Sequence, residues 1–177
     1  RQARGPPWRR RAPHLPTPDR RARRAPASSG ASHGRTLGEL QRVQALSPRH
    51  EETRNDIATV LLLSGRSNDA LRSLSSVPQG PSHDRLRVLL GPPAEALAAS
   101  ARLSADQSAR SQFLQAEIAA YRGDIELAFG RLDDALRAHE HARSQLDFDL
   151  PHAIILSPFL RTLHDDARWA ALRAQLA

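Results

Sequence analysis

Apolar positions begin to recur regularly at residue 37. In TLGELQRVQALSP the residues Leu37, Leu40, Val43 and Leu46 fall at steps of three, which predicts an amphipathic helix ending near Pro48. EETRNDIATVLLLSGRSNDALRSLSSVP then puts Ile57, Leu61 and Leu62 on one helix and a stop at Gly65. A second helix follows through Ala70, Leu71, Leu74 and Val77, closed by Pro78 and Gly80. The same plan returns in SARSQFLQAEIAAYRGDIELAFGRLDDALRA. There Phe113, Ala116 and Ala120 form one stripe and Leu114, Ile118 and Tyr121 the next. Gly123-Asp124 turns the chain, and Ile125, Ala128, Leu132 and Ala135 point inward at steps of three, four and three.

Superimposing the two glycine turns aligns Ala58 with Ala116, Ala70 with Ala128 and Leu74 with Leu132. Counted from Glu51 as the first position, Pro48 falls at position 32 of a preceding unit, as a 34-residue period requires. Small residues at these places let two antiparallel helices approach closely, so a bulky side chain at Ala128 would push them apart. The pattern resembles the tetratricopeptide repeat, which implies an all-α stack of antiparallel helix pairs, an α-solenoid. Between the two good repeats, HDRLRVLLGPPAEALAASARL repeats a glycine turn at Gly91 and the Ala96, Ala99 spacing, with Ala96 following Ala70 by 26 residues and room for only about two turns in its first helix. A shortened, degenerate repeat is expected near residues 78–104.

The C-terminal LSPFLRTLHDDARWAALRAQL reads differently. Ser157-Pro158 is a cap followed by a first helical residue, Asp165 or Asp166 is the next cap, and Trp169, Leu172 and Leu176 form the face of a last helix. Residues 157–177 are thus expected to close the array. With AYRGDIELAFGRLDDAL, this ending resembles the C-terminal repeats of bacterial signalling proteins of the adenylate cyclase, serine/threonine kinase and winged-helix regulator types, although Ala167 stands where their closing turn has proline. The resemblance covers residues 37–177. It implies a cytoplasmic, non-enzymatic module that binds a protein or peptide partner, or packs on a catalytic domain absent from this chain; exposed repeat ends could also drive homo-oligomer formation. The groove positions of the first helix in each pair map to Glu52, Asn55, Thr59, Leu62 and Leu63, and to Phe113, Glu117, Ala120 and Tyr121.

Charge divides the chain in two. Residues 1–36 hold ten Arg, one Asp and six of the 13 Pro, whereas the remainder holds 16 Arg against 18 acidic residues. The first 36 residues show no period, so an arm without regular structure is expected. Its runs Arg9 to Arg11, beside Trp8, and Arg20 to Arg24 could lie on nucleic acid phosphates, the alternative functional reading; a solvated tail and translated GC-rich DNA are the others. The chain opens on Arg and contains no Met, which suggests a fragment or a processed chain.

Several chemistries are excluded by composition. Every basic residue other than His is Arg, so a Walker-type phosphate loop and Schiff-base catalysis lack their lysine. Zero Cys removes disulfides, zinc-thiolate sites and cysteine nucleophiles. No cofactor and no membrane span is expected, since no apolar window reaches 18 residues. The nearest approaches to a site are weak. His139 and His141 are two apart, which on a helix points them to different sides. His164 lies beside Asp165 and Asp166, which have a capping task, and Asp147 and Asp149 in LDFDLPH are expected in an exposed loop.

Overall fold

A computed structural model of the chain describes residues 28–48, 50–75, 79–141 and 148–176, and every regular element among them is helical. Nine α-helices are described: α1 (Ser28–Leu46), α2 (Glu51–Leu63), α3 (Ser67–Leu74), α4 (Pro81–Leu90), α5 (Pro93–Ala105), α6 (Ala109–Arg122), α7 (Ile125–His141), α8 (Leu150–Leu156) and α9 (Ala167–Leu176). A 3₁₀ helix, Pro158–Leu163, links α8 to α9. The helices group into two compact units, the first ending at Asp106 and the second beginning at Gln107.

The two glycine turns form as their sequences dictate. Gly65 and Gly123 have φ of 77° and 83°, the left-handed region that glycine enters without steric cost. In each turn the glycine N–H returns to the carbonyl three residues back and the next N–H to the carbonyl five back: Gly65 to Leu62 and Arg66 to Leu61, Gly123 to Ala120 and Asp124 to Ala119. These are paired closures of a helix C-terminus that satisfy carbonyls left over by the last turn. Asp124 then caps α7, its carboxylate accepting the Leu127 N–H at 3.1 Å.

In the first unit α2 packs against α1, α3 and α4, and α4 packs in turn against α3 and α5. In the second, α6 packs against α7, α8 and the 3₁₀ helix. One buried alanine and one buried leucine a turn later recur in the second helix of each pair: Ala70 and Leu74, Ala99 and Leu103, Ala128 and Leu132. Each pair follows the last by 29 residues in the sequence, five short of a tetratricopeptide period. Burial of one such leucine contributes about 1.5–3 kcal/mol, and the alanine beside it sets how closely the helices approach.

Four expectations need correction. The helix expected from residue 37 starts at Ser28, inside the segment expected to lack structure; Pro26 is the last proline before Pro48, so nothing after it forbids helix. Residues 1–27, and with them Trp8 and both arginine runs, lie outside the described residues, as does Val77. The first helix of the short repeat, α4, has ten residues, nearly three turns, because Pro81 serves as its first residue rather than as a breaker. In α5 the buried alanine is Ala99, not Ala96: Gly91 keeps φ at −71° and Pro93 opens the helix, so the contact falls one turn deeper. Finally, the exposed loop expected at 146–152 holds for Asp149, which is exposed and outside any helix, but from Leu150 the chain enters α8, which Asp149 caps by accepting the His152 N–H at 3.1 Å and which buries Leu150 and Ile154; Asp147 is outside the described residues.

Candidate interaction surface

The groove positions of α2 and α6 are placed in unlike surroundings. On α2, Glu52 is exposed, Asn55, Thr59 and Leu63 are half-buried, and Leu62 is buried. Thr59 faces α4, where its hydroxyl oxygen accepts a hydrogen bond from the Arg85 guanidinium at 3.0 Å. On α6, Phe113, Glu117 and Ala120 are buried and only Tyr121 is exposed. The cover over them is the chain's own C-terminal segment. Phe113 meets the Phe148 ring at 5.8 Å between centroids, with the Arg110 guanidinium 5.7 Å from the same ring. Ser157 donates to Glu117 at 2.6 Å, Thr162 donates to the Ala120 carbonyl at 3.1 Å, and Phe159 stands edge-on to Tyr121 at 5.7 Å. A partner cannot touch Phe113, Glu117 or Ala120 while this segment is in place, so of the two groove stripes read from the sequence, α2 carries the accessible one.

A run of buried polar residues on α4 had no signal in the hydrophobic pattern. His83, Asp84 and Arg85 are consecutive and all buried. Asp84 is gripped by Arg102 of α5 in a two-pronged contact, 2.9 Å from Nε and 2.6 Å from Nη2, which removes most of the cost of burying the carboxylate. Arg87 pairs with Glu95 at 2.7 Å, also across α4 and α5, and its Nε lies 3.4 Å from His83 Nε2. Burial holds the His83 imidazole below its ordinary value, and the Arg87 charge adds to this while Asp84 opposes it. The network fastens α4 to α5. Its one sequence trace is the His-Asp-Arg run with Arg102 a helix away.

The last helix is fastened by a second device. Arg168 lies 4.2 Å over the Phe129 ring of α7, donates to Asp166 at 2.9 and 2.8 Å, and reaches Glu126 at 3.1 Å. Asp166, not Asp165, caps α9, accepting the Arg168 N–H at 2.9 Å. Trp169 is buried and stacks on His164 at 4.4 Å. The Asp-Ala-Arg-Trp spacing seen in the sequence is thus a clasp between α9 and α7.

The other candidate groups do not converge. His141 Nδ1 lies 2.6 Å from the Arg137 carbonyl, which can only accept, so the ring donates its proton there and takes the ordinary part of a helix end. His139 is half-buried on the same helix. Among the described residues no three His, Asp or Glu side chains gather in a way that would hold a metal ion, and no helix is long and apolar enough to cross a membrane. No protein-family model, curated protein or solved structure matches this chain.

Proposed function

We propose that the chain is a non-enzymatic protein-interaction module, a tetratricopeptide-like stack of helix pairs that holds an extended segment of a partner along α2. The observation that carries this reading is the packing of α2 against both its own hairpin partner α3 and the first helix of the next hairpin, α4. That arrangement makes α2 and α4 neighbours, and on the wall this reading assigns to α2 Glu52 is exposed while Asn55, Thr59 and Leu63 are half-buried. The wall is set before a partner arrives, so binding costs the scaffold little conformational entropy. The partner is a peptide segment or a domain not contained in this chain.

The test is selection of peptides from a display library on the whole chain, followed by Asn55→Ala and Leu63→Ala. Each substitution should weaken the selected peptides about tenfold, roughly 1.4 kcal/mol. Peptides indifferent to both, or a selection that enriches nothing, would end the reading. The alternative, nucleic-acid binding through the basic residues 1–36, is favoured by their ten Arg against one Asp. It requires an affinity that falls steeply with salt and disappears when those residues are removed.

A further inference from the structure

Basic side chains of two helices converge where the second unit closes. The Pro158–Leu163 3₁₀ helix ends in a turn in which the His164 N–H bonds to the Arg161 carbonyl at 3.1 Å. At three residues per turn, side chains three apart eclipse, so Arg161 and His164 stand one above the other. The imidazole lies on the Trp169 ring of α9 at 4.4 Å, with 24° between the planes. One turn further along α9, Arg173 shares the face of Trp169. The stack therefore gathers Arg161 and Arg173 about one imidazole, and all three side chains are exposed.

The electrostatics agree with this placement. Partial burial holds the His164 imidazole below its ordinary value, Arg161 and Arg173 push it the same way, and Asp165 opposes them. Both guanidinium charges are thus felt at the ring. The neighbouring charges are engaged with one another, Arg168 pairing with Asp166 and Glu126. Two arginines against the single carboxylate of Asp165 leave the cluster positive, and it becomes more so when His164 takes a proton.

We propose that Arg161, His164 and Arg173 form a binding site for a phosphate monoester. Two guanidinium forks and an imidazole N–H come from two helices, and a tetrahedral dianion can accept from all three. A carboxylate brings half the charge and oxygens in one plane, which suits a single fork. The bound dianion also offsets the repulsion between the arginines and the imidazolium, so binding and protonation of His164 favour each other. The site belongs to the second unit and does not depend on the reading given to α2.

Trp169 reports on it, because an imidazolium stacked on an indole quenches the emission. In a Trp8→Phe chain the pH midpoint of quenching is measured at constant ionic strength, in chloride and then with inorganic phosphate or sulfate. A concentration of about 10 mM exceeds the dissociation constant of roughly 1 mM expected for a few exposed charged hydrogen bonds. Both anions should raise the midpoint by about half a pH unit. Sulfate keeps its charge across this range, so its shift belongs to His164 and not to the ligand. Arg161→Gln with Arg173→Gln should raise the midpoint in chloride, because two repelling charges are gone, and should abolish the response to phosphate. Arg161→Lys with Arg173→Lys should keep the chloride midpoint but weaken phosphate about tenfold, because the forks are lost. The substituted residues are exposed, so an unchanged far-ultraviolet dichroism spectrum establishes that the fold persists. Tighter binding of a short phosphoserine peptide than of inorganic phosphate would support the site with a modified side chain as its source, and equal binding would support it with free phosphate. A midpoint that neither phosphate nor sulfate moves overturns the proposal, as does a shift that acetate matches or that survives the double glutamine substitution.

Discussion

Ser157 donates its hydroxyl to Glu117 across 2.6 Å, joining the break between α8 and the 3₁₀ helix to the middle of α6, forty residues away. Both side chains are buried. The same serine oxygen accepts the Phe159 N–H at 3.3 Å, so one atom caps the 3₁₀ helix and satisfies a buried carboxyl. With the Phe113–Phe148 ring contact and the Thr162 bond to the Ala120 carbonyl, it holds the C-terminal segment over Phe113 and Ala120.

Ser157→Ala should therefore destabilise the second unit by about 1–3 kcal/mol, since it removes a buried hydrogen bond to a carboxyl and the cap of the 3₁₀ helix together. Trp169 belongs to the same unit and reports its unfolding; with Trp8→Phe as background, urea titration of its emission reads the loss directly. An unchanged midpoint would mean that the hydroxyl is dispensable there.

Ala128 is fully buried in the α6 and α7 hairpin. Ala128→Leu should overpack the contact and cost about 1–3 kcal/mol by the same measurement, and Ala128→Arg more, because a charge would be buried without a partner. Ala96→Leu, on the half-buried side of α5, should cost much less. Equal losses at the two alanines would contradict the assignment of Ala99 as the close contact of α5.

The contrast between Ala96 and Ala99 shows how far the sequence reaches. The glycine turns, the two well-patterned hairpins, the cap at Ser157 and, to within one residue, the cap at Asp166 were legible because each depends on local chemistry: a left-handed backbone position, a small residue at helical spacing, a side-chain acceptor before a first turn. The register of α5 was not, because Gly91 in the sequence looks the same whether its φ is positive or, as found, −71°. The start of α1 was masked by the prolines that precede it. At the candidate surface, periodicity put Phe113 and Ala120 on one stripe but could not say what covers that stripe. The cover comes from residues forty positions away, a long-range contact that no local pattern encodes. The α4 network was missed for the same reason: Asp84 is tolerable in a core only because Arg102 arrives from the next helix.

Arg168 is held by one flat ring and two carboxylates, a geometry that lysine cannot copy. Arg168→Lys should keep the charge yet cost about 0.5–2 kcal/mol, and Arg168→Ala more, since it also strips the cover from Phe129. The Arg168 hydrogen bonds hold the Asp166 carboxyl below its ordinary value of 3.8. Its contribution is thus fully present above about pH 4 and is lost as pH falls through the lowered value. In the Arg168→Ala chain that acid-side slope should flatten; a slope unaltered by the substitution would place the acid sensitivity elsewhere.

Histidines give the loss of stability on acidification a second origin, at higher pH than Asp166. Burial holds His164 below its ordinary value of 6.5, with Arg161 and Arg173 adding to the effect and Asp165 opposing it; His83 is held below 6.5 in the same direction. The folded chain resists protonating either ring, so the unfolded chain takes up protons first as pH falls. Their joint contribution is therefore whole above about pH 6.5, shrinks below it, and is gone once pH passes the lowered folded values. His164 can be followed alone, because its ring stacks on Trp169 at 4.4 Å and an imidazolium at that distance quenches indole emission. In a Trp8→Phe chain the emission should fall on acidification with a midpoint below 6.5, and His164→Gln should abolish the step. A midpoint at or above 6.5 would mean that the attraction of Asp165 outweighs burial and the two arginines.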